Sequence, residues 1–229
     1  MRLPDKVVGI VAGVATPFVI VAAAVLLFLN PLWVGFEQGR SDVTGWTGYT
    51  TAQVNQVTGS ILSDLVFGPP RFTVAVNGVQ VLDPREISHM EDVRSVMATL
   101  GAVALLGLVV LLLCAALAWR RRAFWRAVEL GATGLVVGVI VVGGFLAVFF
   151  DQVFLLFHDI FFSPGTFSFD PNTEKLVQLF PDQFWSETSI ALAGVVLLLS
   201  IVVMLSARRR LRVMEEPAAA VQAVPELGG

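Results

Sequence analysis

Four stretches of the chain carry no charged residue: Val7 to Leu29, Val96 to Trp119, Leu130 to Phe150, and Ile190 to Ala207. At 1.5 Å of rise per residue, each can cross a hydrocarbon layer about 30 Å thick. The pattern predicts an α-helical integral membrane protein with four transmembrane helices over about 7–29, 96–119, 130–150 and 190–207. The first run resembles a signal peptide at a glance. Its apolar stretch exceeds an h-region of about 7–15 residues and ends in Asn30-Pro31-Leu32-Trp33 instead of a small-residue cleavage site, so it reads as a helix that stays.

Between these runs the pattern changes. Phe72, Val74 and Val76, then Val79 and Val81, alternate around Asn77-Gly78, a dipeptide suited to a type I′ turn, which predicts a β-hairpin over Phe72 to Leu82. Leu176, Val177 and Phe180 share one side of a short amphipathic helix over Asn172 to Phe180, stopped by Pro181. Residues 30–95 and 151–189 are therefore expected to form a small mixed α/β extracytoplasmic cap on a single membrane domain, 1–212. The stretch from 213 to 229, rich in Ala, Pro and Glu, is expected to be a disordered cytoplasmic tail.

Charge orients this arrangement. Arg2 and Lys6 precede the first run, Arg120, Arg121, Arg122 and Arg126 fill the second connection, and Arg208, Arg209, Arg210 and Arg212 follow the last run. The positive-inside rule then puts both termini in the cytoplasm and the cap outside. Composition agrees: 56% of residues are hydrophobic, 14% are charged and the mean hydropathy is +0.79. A formal net charge of −3 gives nucleic acid no basic face to bind. The single cysteine, Cys114, lies mid-span and reads as a small core residue. Within the third run, Gly131, Gly134, Gly138, Gly143 and Gly144 include the spacing that lets helices approach closely.

No G-x-S-x-G elbow, H-E-x-x-H pair or P-loop is present. What stands out is a pair of histidines, the only two in the chain, both expected near the outer membrane face. His89 lies in Ser88-His89-Met90-Glu91-Asp92, where Ser88 and Glu91 have capping-box spacing. That start would make His89 the first helical residue, where the helix dipole favours a neutral imidazole. Asp83-Pro84 is a competing start that would move His89 into the second turn. His158 would reach headgroup level if the third helix continued straight, and it shares a helix face with Phe154, Phe161 and Phe162. Eight phenylalanines between Phe149 and Phe169 exceed what an aromatic interface belt needs, so Phe154, Phe157, Phe161 and Phe162 are expected to line an acyl-chain pocket. No short His-x-His spacing supports a metal, and no cofactor is implied.

The stretch Glu86-Ile87-Ser88-His89-Met90-Glu91-Asp92-Val93, with Phe157 through Phe162, Asp170-Pro171 and Leu179-Phe180-Pro181, resembles the bacterial lipoprotein intramolecular transacylases. Ser163-Pro164-Gly165 and Phe167 depart from the Asn-Asp and Trp of that pattern. The resemblance implies an enzyme of the bacterial cytoplasmic membrane that moves an acyl group within a diacylglyceryl-modified lipoprotein, from the sn-2 ester to the α-amino group of the N-terminal cysteine. Its two catalytic histidines would be His89 and His158. A substrate carrying both nucleophile and ester needs only a base, an acid and a shaped pocket, consistent with the missing enzyme nucleophile. His89 is expected to remove the ammonium proton and His158 to donate, or the reverse, with Glu91, Asp92 and Asp159 as supporting groups. The alternatives are a non-enzymatic membrane protein whose cap binds a lipid or a partner protein, and a different lipid acyltransferase or hydrolase.

Overall fold

The computed structural model describes residues 4–69, 71–163 and 165–215. Arg2, Pro164 and the expected tail beyond residue 215 lie outside these. Nine helices and one hairpin follow in order among the described residues: α1 (Asp5–Phe28), α2 (Pro31–Arg40), α3 (Val43–Thr47), α4 (Thr51–Val66), β1 (Ala75–Val76), β2 (Val79–Gln80), α5 (Pro84–Ala118), α6 (Arg122–Val148), α7 (Phe150–Phe161), α8 (Lys175–Leu179) and α9 (Asp182–Val213). Helices α1, α5, α6 and α9 are long and apolar enough to cross a membrane, as the four runs require. Three of them are much longer than their apolar runs. At 1.5 Å per residue, the 35 residues of α5 exceed the hydrocarbon thickness by about 20 Å, so the charged stretch from Pro84 to Ser95 lies outside the membrane-spanning part.

The chain forms two compact units, residues 1–22, 103–141 and 195–229 in one, residues 23–102 and 142–194 in the other. In the first, Val8, Ala12, Cys114, Ala118, Phe124, Ala127, Val128 and Ala207 form a buried cluster. Cys114 packs there as an ordinary small apolar side chain. Small residues let α1 and α6 meet closely. A Cβ on Gly131 would collide with the Gly13 carbonyl oxygen and come within 3.1 Å of the Thr16 Cβ, whereas Gly134, Gly138, Gly143 and Gly144 have no such neighbour. One glycine of the expected five therefore makes the close approach. Glu129, buried in this unit, receives hydrogen bonds from Arg126 at 2.7 Å and Arg208 at 2.9 Å.

The second unit holds the cap. Its core is Val43, Val54, Val57, Ile61, Phe72, Val76, Val81, Leu82, Met90, Leu176 and Leu179. Three helices, α2, α3 and α4, occupy the stretch between the first two apolar runs, where only a hairpin was expected. Asn30 caps α2 by accepting the N–H groups of Leu32 and Trp33, with Pro31 at the first helical position. Thr50 and Gln53 form a complete capping box for α4, which buries Val54, Val57, Thr58, Ile61 and Leu62 on one face. Thr58 donates to Gln38, and the Gln38 amide donates to the Leu179 carbonyl, so a buried polar chain joins α4, α2 and α8. The hairpin forms with Asn77 and Gly78 at φ 51° and 78°, the two left-handed positions of a type I′ turn. Its strands are two residues each, extended by one further bond from Val81 N–H to the Val74 carbonyl, and so are shorter than Phe72 to Leu82. The amphipathic helix expected over Asn172 to Phe180 is likewise trimmed, to Lys175–Leu179.

Two boundaries decide where the histidines lie. Helix α5 starts at Pro84, not at Ser88: Asp83 and Glu86 form the reciprocal box, with Glu86 N–H to Asp83 Oδ1 at 2.8 Å and Asp83 N–H to Glu86 Oε2 at 2.6 Å. His89 is consequently in the second turn, where the dipole effect fades. The third membrane helix does not run straight on to His158. Helix α6 ends at Val148, Phe149 breaks it at φ −124° and ψ 40°, and α7 restarts at Phe150. Along α7, Asp151, Asp159 and Gln152 gather on one side while Leu156, Ile160, Val153, Phe157 and Phe161 occupy the other, the pattern of an interfacial helix.

Candidate active site

His89 on α5 and His158 on α7 come together within the second unit. Their ring centroids are 6.0 Å apart and the planes differ by 20°. Phe162, itself buried, contacts both, at 4.8 Å from His89 and 5.3 Å from His158. Phe169 meets His89 edge-on at 5.5 Å. Phe154 lies 4.3 Å, Phe167 5.2 Å and Phe157 5.5 Å from His158. Two imidazoles thus share an aromatic enclosure.

The two rings differ in exposure and in partners. His89 is 6% exposed, and its Nδ1 has no hydrogen-bond partner among the described residues. Burial pushes its pKa from 6.5 down to about 4, the neighbouring His158 pushes the same way, and the Asp92 charge opposes them weakly. The imidazole is therefore neutral near pH 7, as the sequence suggested, but because it is dry and not because of a helix dipole. His158 is half-buried, and its Nδ1 lies 2.8 Å from the Phe154 carbonyl one turn back. A carbonyl can only accept, so Nδ1 carries the hydrogen and, in the neutral ring, Nε2 carries the lone pair.

The expected supporting carboxylates are less engaged. Glu91 and Asp159 are exposed, Asp92 is half-buried, and none of the three hydrogen-bonds either imidazole among the described residues. The expected pocket residues divide similarly. Phe154, Phe157 and Phe162 touch the His158 ring, while Phe161, half exposed, packs on Phe157 at 4.8 Å. Two cap cavities of about 410 and 420 Å³ lie elsewhere, the first beside Asp83, Glu86 and Glu174, the second beside Trp46 and Asn172. Two contributors were not singled out from the sequence, Phe169 and Trp185, the latter 5.9 Å from Phe154, and Phe167 drew notice only as a departure from the family pattern. The density of phenylalanines was the only signal for Phe169, and Trp185 had none.

The family model of the lipoprotein intramolecular transacylase Lit matches residues 10–185. Among solved structures, the membrane integral lipoprotein intramolecular transacylase Lit from Bacillus cereus is 18% identical, covers 93% of this chain and 97% of its own, and superposes with a TM-score of 0.79. A variant of that protein with a histidine replaced by arginine is 17% identical over 95% of this chain and 94% of its own, with a TM-score of 0.73. These likenesses establish a shared fold. No curated protein matches the chain. With the family model spanning most of its length, four membrane helices and a helix-rich cap in the same fold, the chain belongs to the lipoprotein intramolecular transacylase family and is a membrane-integral acyl-transfer enzyme.

Proposed function

We propose that this protein transfers the sn-2 acyl group of a diacylglyceryl lipoprotein to the α-amino group of the same molecule's N-terminal cysteine, using His158 as base and His89 as a neutral hydrogen-bond donor. The observation that carries this reading is the pair of near-parallel imidazoles 6.0 Å apart inside one phenylalanine enclosure. Two groups at that separation can both reach the substituents of one tetrahedral carbon.

The roles follow from the hydrogen bonds. With Nδ1 committed to the Phe154 carbonyl, His158 presents Nε2 to the substrate. An α-ammonium group titrates at about 7.7–8.0, close enough to an imidazole for proton transfer to be easy. The ammonium group first gives one proton to solvent through Nε2; as the free amine nitrogen then attacks the ester carbonyl carbon, Nε2 takes a second proton from that nitrogen. The carbonyl oxygen becomes an oxyanion, and the N–H of neutral His89 stabilises it without bringing a second positive charge beside the His158 imidazolium. Collapse of the intermediate breaks the bond to the glyceryl oxygen, which receives the proton back from His158 Nε2. An amide and a free sn-2 hydroxyl result, with no water consumed. This reverses the first expectation for the two histidines, since a ring at about 4 is too weak a base for an ammonium group.

The acyl chain is proposed to lie along Phe154, Phe157, Phe161 and Phe162, where water competes poorly with transfer. Asp92 acts on His89 through its charge alone, and Glu91 and Asp159 serve as solvated cap surface. The site faces outward, with both termini in the cytoplasm, consistent with the arginines after α5 and α9. The test is to express His89→Ala and His158→Ala variants and fragment the N-terminal peptide of a lipoprotein by mass spectrometry. The expected result is loss of N-acylation in both; full N-acylation in both would contradict the assignment, as would release of the acyl group to water by the unaltered protein.

A further inference from the structure

Glu86 is among the most deeply buried side chains of the cap, at 1% exposure, and its carboxylate does more than cap its own helix. One oxygen, Oε2, closes the box with Asp83. The other, Oε1, accepts the backbone N–H of Leu176 at 2.6 Å, far along the chain in α8. Helix α8 gets no side-chain cap from its own flanking residue, because the Glu174 carboxylate is turned to Arg85 and to the Asp170 N–H. The neighbouring Arg85 holds the same segment: it pairs with Glu174 and stands 5.0 Å over the Phe169 ring. Phe169 in turn lies edge-on to His89.

Consecutive residues of the first turn of α5 therefore grip both ends of the segment from Phe169 to Leu176, one turn below His89. Burying a carboxylate costs free energy, and burial does push the Glu86 pKa up. Two charge-assisted bonds from backbone N–H groups offset that cost. A capping box alone would need only one of them and could stay at the surface.

We infer that Glu86 is a positioning residue of the acyl-transfer site: by accepting the Leu176 N–H it holds the Phe169 segment against His89 and keeps that imidazole dry. It touches neither substrate nor reacting atoms. The consequence for catalysis rests on the role proposed for His89 above; the consequence for His89 itself does not.

The test uses the full chain in detergent micelles, labelled with ring-¹⁵N histidine, whose two imidazoles are assigned from the single histidine variants. Glu86→Gln keeps the side-chain volume but turns an NH₂ toward one of the two N–H donors, while His158 and Asp92, the titratable groups acting on His89, stay in place. The expected result is a rise of the His89 midpoint from about 4 to about 5 or higher, with a roughly tenfold fall in kcat and little change in KM. Phe169→Ala should raise the midpoint similarly, and the double variant should rise no further than Phe169→Ala alone. If Glu86→Gln does not fold, Phe169→Ala carries the test by itself. An unmoved His89 midpoint in Glu86→Gln or in Phe169→Ala overturns the inference, as do two effects that add in full. A moved midpoint with unchanged turnover would retain the positioning role and instead contradict the catalytic role of His89.

Discussion

Keeping an imidazole dry has a thermodynamic consequence that acid should expose. In the unfolded chain His89 takes up a proton near 6.5; in the folded protein it does so only near 4. Between these values the unfolded state binds more protons, so stability rises with pH through the window and is lost as pH falls through it. The complete depression corresponds to about 3 kcal/mol, and lowering the pH from 7 to 5 should remove about 2 kcal/mol of it. His89→Phe removes the titration and keeps a ring of similar size against Phe162 and Phe169. Equilibrium unfolding in mild detergent at pH 7 and pH 5 gives the comparison. Other groups titrate too, with Glu86 contributing in the opposite sense because its pKa is raised, but they are common to both proteins and cancel in the difference. The unaltered protein should lose about 2 kcal/mol more than His89→Phe over this interval. Parallel losses would refute the argument that burial holds His89 neutral.

Other expectations concern parts of the molecule that do no chemistry. Gly131→Ala should destabilise the protein by about 1–3 kcal/mol, because the new methyl meets the Gly13 backbone, while Gly134→Ala should be close to neutral; thermal melting of the two separates them. Glu129→Ala leaves Arg126 and Arg208 without their shared carboxylate and should cost about 1–2 kcal/mol, a loss that high salt reduces. Gly78→Ala forces a Cβ into the left-handed region at φ 78°, and should lower cap stability by about 1 kcal/mol, measurable as faster amide exchange at Val76 and Val79.

Much of the fold could be read from the chain because lipid imposes simple rules. Charge-free runs of 18 or more residues had to become membrane helices, and Asn77-Gly78 between alternating valines had to become a tight hairpin. The cap was harder. Thr50 and Gln53 announce α4, and Val54, Val57, Ile61 and Leu62 give its apolar face, yet the long stretch after the first span was read only for its strand pattern. The start of α5 offered two overlapping boxes, Asp83 with Glu86 and Ser88 with Glu91. Local spacing cannot choose between them; Pro84 at the first helical position and the tertiary bond from Glu86 to Leu176 do. Nothing local marks the break at Phe149, where neither proline nor glycine stands.

The site was legible as two unusual residues and illegible as a constellation. His89 and His158 drew attention because histidine is rare in so apolar a chain. Their approach depends on α7 being a separate helix, which a straight third span would not supply. The carboxylates nearest to them in sequence, Glu91, Asp92 and Asp159, were natural candidates for partners, but none of the three hydrogen-bonds either ring among the described residues, and Asp92 acts on His89 only through its charge. The side chains that shape the site instead come from Phe162, Phe167 and Phe169, around a turn whose course is set by long-range contacts with α5.

The central claim is that one molecule supplies both the ester and the amine. A synthetic diacylglyceryl lipopeptide with a deuterated chain at sn-2 only, mixed with an unlabelled lipopeptide of different peptide mass and given to the purified protein in lipid vesicles, tests it directly. Mass spectrometry should find the deuterated chain as an amide on the peptide that carried it, with sn-1 untouched. Deuterated chain on the second peptide, or as free fatty acid, would contradict the account.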